Sequence, residues 1–124
     1  MAKKIMIVDD SLAIRQSLGY VLQNGGYDVL EACDGVDALS KISSDTVSLV
    51  ICDVNMPNMD GITFVKTLKN DAKYASFKFV PVIMLTTESG EDKKQEGRNA
   101  GVKAWMTKPF PPESILDAVK KLIA

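Results

Sequence analysis

The sequence predicts an α/β protein built as (βα)5, a doubly wound parallel sheet with helices on both faces. Three observations carry this. Five short apolar runs recur along the 124 residues, and each is followed by a stretch with helical spacing. Several runs are almost continuously hydrophobic, as strands covered on both faces must be. Turn and cap residues punctuate the alternation between runs and helices.

The first run, Lys4 to Val8, stops at the acidic pair Asp9-Asp10. Ser11 is placed to cap a helix in which Ile14, Leu18, Val21 and Leu22 form one apolar stripe, and Gly25-Gly26 end it. The second run spans Tyr27 to Ala32, with Asp34 as the next N-cap. The third, Ser48 to Asp53, ends on an acid, and Met56 to Gly61 after it reads as a turn. The fourth, Val80 to Thr86, runs into Thr87. The helix after it, Glu91 to Ala100, has almost no apolar face, and its internal Gly97 costs roughly 1 kcal/mol relative to alanine. Such a helix is held weakly to its sheet and belongs to the low-stability end of a domain. Gly101 closes it, and the fifth run, Val102 to Thr107, leads to Lys108-Pro109. Pro112 suits the first turn of a last helix whose stripe is Ile115, Leu116, Val119, Leu122 and Ile123.

Length and composition narrow the function. The 124 residues fit one domain, with a core that needs neither disulfides nor a metal staple. No linker or second domain fits. The net charge of −1, with lysines scattered rather than striped, argues against nucleic acid as a direct partner. No apolar stretch approaches the roughly 20 residues that span a bilayer, and no signal-peptide pattern precedes the first run, so we expect a cytoplasmic protein without membrane contact. Cys33 and Cys52 show no metal or redox spacing and are expected to be free, mostly buried thiols. The chain has no histidine, which removes Ser-His-Asp and Cys-His nucleophile systems, HExxH zinc sites and imidazole bases. Neither GxGxxG nor GxxxxGK[ST] follows the first run, so the usual phosphate cradles for dinucleotides and nucleoside triphosphates are missing.

Open parallel sheets bind ligands outside the carboxyl ends of their strands, and the polar residues gather at that rim. Asp9-Asp10, Asp53, Thr86-Thr87 and Thr107-Lys108 all end apolar runs. Singly, each has a structural explanation: an Asp at a strand end caps or turns, a Thr belongs in a strand, a Lys is solvated. Jointly they are more telling, because adjacent acids in one loop repel unless something cationic lies between them. Three carboxylates facing one lysine leave an excess of negative charge that a divalent ion offsets. Oxygen donors without histidine favour Mg2+ or Mn2+ over zinc. A carboxylate beside such an ion can act as a nucleophile and form an aspartyl phosphate, with Lys108 and the Thr86 hydroxyl stabilising phosphoryl oxygens.

Four segments occur in order at domain-appropriate separation: Val8-Asp9-Asp10-Ser11, Asp53-Val54-Asn55-Met56-Pro57 with Asp60-Gly61, Pro81 to Thr86, and Lys108-Pro109-Phe110. With them the chain resembles the receiver domains of bacterial two-component response regulators, and more narrowly the stand-alone CheY-like chemotaxis regulators, over essentially its whole length. The resemblance implies a flavodoxin-like sheet with strand order 2-1-3-4-5. It implies Asp53 as phosphoacceptor, Asp10 as a direct Mg2+ ligand, Asp9 as a ligand largely through water, and Asn55 as a ligand through its backbone carbonyl. It further implies a cis Lys108-Pro109 peptide that aims the lysine inward, catalytic roles for Thr86 and Lys108, and a switch made of Thr86 and the strand-5 aromatic, here Trp105. Family members usually carry Tyr or Phe there. Thr87 is also bulkier than the family favours, and Asn55 and Glu88 occupy positions that tune hydrolysis of the aspartyl phosphate.

The implied donor is a phosphohistidine on a sensor kinase of the CheA type, and the implied target is the flagellar motor switch or another protein, reached through helix 4, strand 5 and helix 5. A phosphatase is admitted as a further partner, and a monomer is expected. Such a chain is no enzyme beyond its own phosphorylation and dephosphorylation. Two alternatives remain: a receiver serving as phosphate sink, relay or inhibitory module, and a Mg2+-dependent aspartyl phosphatase of the haloacid dehalogenase type. The latter needs an acid two residues beyond its nucleophile, where this chain has Asn55.

Overall fold

Parallel strands cannot be joined by tight hairpins, so each of the first four strands is followed by a crossover helix and the fifth by a closing one. The structure, a computed structural model, describes residues 2–43 and 45–123. The order is β1 (Lys4–Val8), α1 (Leu12–Asn24), β2 (Asp28–Ala32), α2 (Gly35–Ile42), β3 (Leu49–Cys52), α3 (Gly61–Asn70), a 3-10 segment (Ala72–Phe77), β4 (Val82–Thr86), α4 (Glu91–Ala100), β5 (Ala104–Thr107) and α5 (Pro112–Ile123). The five strands are parallel in the order β2-β1-β3-β4-β5. The chain therefore winds from β1 to one side, then returns past it to β3 and continues outward. That reversal opens the crevice between the ends of β1 and β3.

Alternation along each strand sends neighbouring side chains to opposite faces. Ile5, Ile7, Leu49, Ile51, Ile83 and Leu85 join Leu18 and Leu22 of α1 and Ile115 and Val119 of α5 in one core layer. Met6, Val8, Val50, Cys52, Val82 and Met84 meet α2 and α3 on the other, where Phe64 and Leu68 are fully buried. Full burial of an aliphatic side chain of this size is worth roughly 1.5–3 kcal/mol, so each layer fixes its helices firmly. The exception is α4, which buries only Gly97 and Ala100.

Several strands are shorter than their apolar runs, for reasons visible in the backbone. Pro81 has no N–H for the ladder, so β4 starts at Val82. The Val102 N–H turns back to Gly97 O at 2.9 Å and closes α4 instead of extending β5. The 3-10 segment was not anticipated. It is too short for a periodic signal, yet Asp71 caps it through the Lys73 N–H at 2.9 Å and it buries Tyr74. The cysteine expectation is corrected by half: Cys52 is buried, but β2 ends at Ala32 and Cys33 lies exposed in the turn beyond it. No helix of the described residues is long and apolar enough to cross a membrane.

The caps are where the sequence places them. The Ser11 hydroxyl accepts the Ile14 N–H at 3.3 Å, Gly101 adopts φ 107° after α4, and Pro112 opens α5. Asp34 does more than cap. It accepts the Asp37 N–H at 2.8 Å and the Asn58 amide at 2.8 Å, tying the start of α2 to the loop after β3. These two bonds, the backbone one foremost, hold its carboxyl below the usual Asp value. A depressed folded value means that the stabilisation is complete above the unfolded pKa and is lost as pH falls through the folded one. We expect Asp34→Ala to cost about 1–2 kcal/mol at neutral pH. In urea unfolding, the gap to the parent chain should close as pH falls below about 4. A gap that stays constant down to pH ~2.5 would refute the role assigned to this carboxylate.

Candidate functional site

The acidic pair follows β1 directly, and its backbone remains tied to the sheet. The Asp9 N–H donates to Ala32 O of β2 at 3.1 Å, and the Asp53 N–H donates to Val8 O of β1 at 2.9 Å. Both acids are thus fixed at the crevice where strand order reverses. Asp9 is 3% and Asp53 7% exposed, whereas Asp10 stands open at the mouth. One carboxylate oxygen from each of Asp9, Asp10 and Asp53 lies within 4.8 Å of the others.

Lys108 reaches into this cluster from beyond β5, preceding a cis Lys108-Pro109 peptide. Its ammonium donates to Asp9 Oδ2 at 2.8 Å and to Asp53 Oδ2 at 3.0 Å. Burial alone would lower the Lys108 pKa, but the bonds and charges of Asp9 and Asp53 outweigh it and hold it above the usual value. The second oxygen of each acid is held by its own loop: Asp9 Oδ1 accepts the Ser11 N–H at 2.9 Å, and Asp53 Oδ1 accepts the Val54 N–H at 2.7 Å. The Asn55 N–H approaches Asp53 Oδ1 at 3.4 Å, while the Asn55 side chain is exposed. Three carboxylates and one ammonium leave two excess negative charges in a partly desolvated crevice. An all-oxygen donor set with this imbalance fits a hard divalent ion such as Mg2+ and suits zinc poorly.

Thr86 ends β4 fully buried, and its Oγ1 accepts the Glu88 N–H at 3.2 Å. The Glu88 carbonyl in turn accepts the Trp105 indole N–H at 2.9 Å. The backbone of one residue, Glu88, thus links the Thr86 hydroxyl at the rim to the aromatic of β5. Glu88 itself is half-buried and Thr87 exposed at the mouth.

The half-buried Trp105 ring lies against the backbone of α4. A Cβ at Gly97 would sit 2.8 Å from Trp105 Cζ3, so this helix glycine has a packing reason that propensity does not reveal. Alanine would gain up to about 1 kcal/mol in helix propensity, but overpacking typically costs about 1–3 kcal/mol. Gly97→Ala is therefore expected to displace the indole and break its bond to Glu88, shifting Trp105 emission to the red. Unchanged emission with raised stability would contradict that packing.

Two supports, from Arg15 and Asn58, escaped sequence reasoning, and the geometry gives the quoted Asp60-Gly61 pair its role. Arg15 of α1 donates to the Asp9 carbonyl at 2.7 Å while its Nε pairs with Glu31 of β2 at 3.0 Å, bracing the acidic loop from below. A charged residue beside the α1 stripe was the available signal. Asn58, with φ 66°, bonds Asp34 as described. Asp60 caps α3 through the Ile62 N–H at 3.1 Å, and Gly61 packs directly on the Asp53 backbone.

Residues 5–120 match the response regulator receiver domain model. Protein PilG of Pseudomonas aeruginosa is 39% identical over 117 residues, 94% of this chain and 84% of that protein. Chemotaxis protein CheY1 of Helicobacter pylori is 36% identical over 122 residues, covering 97% of this chain and 96% of the relative. A crystal structure of Vibrio cholerae chemotaxis protein CheY4 superposes with a TM-score of 0.90 at 43% identity, covering 98% of this chain and 99% of the other. The chain belongs to the response regulator receiver family. Its similarity extends to stand-alone CheY-like receivers with the same flavodoxin-like fold.

Proposed function

We propose that the chain is a phosphorylation-activated signalling receiver in which Asp53 accepts a phosphoryl group from a sensor histidine kinase of the CheA type. The observation that carries this reading is the bridging of Asp9 and Asp53 by Lys108 inside a three-carboxylate cluster at the switch point. Asp9, Asp10 and Asp53, with the Asn55 carbonyl, would hold Mg2+ or Mn2+, which when bound offsets the charge of phosphoryl oxygens. An Asp53 carboxylate oxygen forms the new P–O bond as the donor's P–N bond breaks, its electron pair returning to the imidazole. The Val54 N–H fixes the other Asp53 oxygen. Lys108, relieved of its pairing with the reacting oxygen, follows the negative charge onto the phosphoryl group. Exposed Asn55 and half-buried Glu88 would steer the hydrolytic water.

For output, Thr86 would leave the Glu88 N–H to donate to the phosphoryl group. That movement disturbs the Glu88 backbone, whose carbonyl holds Trp105, and so the weakly buried α4. Phosphorylation then shifts a conformational equilibrium by the difference in interaction energy between the two forms. The chain catalyses only its own phosphorylation and dephosphorylation. The relatives named as chemotaxis proteins support a flagellar motor switch protein as target.

Trp105, the single tryptophan, reports the reaction. Its fluorescence is expected to respond to Mg2+, then to a small acyl phosphate, with the second response missing in Asp53→Asn. A phosphodonor response that persists in that variant would sink the coupling of Asp53 to β5.

A further inference from the structure

The opposite rim of the sheet carries a second feature that phosphoryl chemistry does not use. A cavity of about 380 Å³ opens between the C-terminal ends of α3 and α4 and the loop that leads into β4. Phe79 stands beside it, 89% exposed, the most solvent-exposed large apolar side chain among the described residues. Lys69, Lys78 and Lys103 line the same cavity with the exposed amides of Asn70 and Asn99, and no described lining residue is a carboxylate. That local excess is unusual in a chain with 15 basic and 16 acidic residues.

The lysines are not neutralised where they stand. Lys69 spends its ammonium on backbone carbonyls, donating to Lys78 O at 2.8 Å, to Phe77 O at 3.4 Å and to Val80 O. Burial, and then the charge of Lys103, lower its pKa to about 8. Lys78 lies over the Phe79 ring at 5.8 Å, and neither it nor Lys103 has a carboxylate partner among the described residues. An exposed aromatic flanked by unpaired cations and amide donors complements an apolar side chain surrounded by carboxylates.

We infer that the face formed by Phe79, Lys78, Lys103 and Asn99 docks an acidic protein segment carrying an aromatic or aliphatic anchor. Because β3 and β4 are parallel, this face lies at the opposite end of the sheet from Asp53. A segment seated there leaves the phosphoacceptor open, so docking and phosphorylation can occur together.

The probe is a synthetic peptide of six Asp and Glu residues around one central Phe, titrated into the whole chain while backbone amide resonances are followed by NMR. Saturable shifts are expected at Lys78, Phe79 and Asn99 to Gly101. Binding should weaken about tenfold in Lys78→Glu/Lys103→Glu and in Phe79→Ala, and fall with added salt. Absence of saturable shifts at millimolar peptide, or shifts of equal size in the charge-reversed variant, would overturn the inference. So would tighter binding at these residues by a single-stranded oligonucleotide or by vesicles of anionic lipid, each of which would assign the face to a different partner.

Discussion

Lys108→Ala is expected to slow phosphoryl uptake by Asp53 by about 100- to 1,000-fold, the range seen when one preorganised group facing developing negative charge is removed. The same variant is expected to bind Mg2+ more tightly. In the parent chain the Lys108 ammonium pairs with both Asp9 and Asp53, so a cation entering the cluster competes with it. Removing the ammonium leaves the full charge of three carboxylates to the metal and leaves two buried acids without a counterion. The gain in melting temperature on adding Mg2+ should therefore be larger in the variant than in the parent, because the ligand stabilises the state that binds it. Loss of rate with unchanged metal response would mean that Lys108 does not face the metal subsite. Unchanged rate would remove it from the chemistry altogether.

The second large effect concerns a glycine without a side chain to contribute. A Cβ built on Gly61 would lie 1.9 Å from the carbonyl oxygen of Asp53 and 2.9 Å from its carbonyl carbon. Both are backbone atoms of the residue on which the chemistry depends, and the Gly61 N–H also donates to Val54 O at 2.8 Å. No rotamer can relieve such a contact. Gly61→Ala must push α3 away from β3 or move Asp53, and overpacking of this kind costs about 3 kcal/mol at the upper end of its usual range. For a domain of this size that corresponds to a fall in melting temperature of roughly 10 °C. Phosphoryl uptake should fall in parallel, since the carboxylate moves with its backbone. A variant that melts within about 2 °C of the parent would show that the loop relaxes without moving the sheet.

These two residues show how unevenly the sequence exposes its plan. The strands were legible because runs such as Ile5 to Val8 and Val82 to Leu85 are buried on both faces and must be hydrophobic throughout. Their ends were not, because an end is decided by where single N–H groups go, as at Pro81 and Val102. Asp9, Asp10, Asp53 and Lys108 could be picked out because each stands at or just beyond the end of an apolar run, and a parallel sheet brings all such positions to one rim. Arg15 and the Asp34–Asn58 tether could not. Their partners lie 16 and 24 residues away on other elements, and pairing at that range depends on register and helix placement. Gly97 reads in the sequence as a flaw in a weak helix, because the Trp105 ring that packs on it comes from β5. Phe79 lies just outside the fourth run and carries no sequence signal of its own, so its exposure is visible only in the structure.

The most direct test of the central claim is the mass of the protein, intact and after proteolysis, following incubation with a small acyl phosphate in the presence and absence of Mg2+. One added phosphoryl group, dependent on Mg2+, located on the peptide containing Asp53 and missing in Asp53→Asn, is the predicted result. A phosphoryl group on any other residue, or none with Mg2+ and donor in excess, would contradict the assignment of this crevice as a phosphoacceptor site.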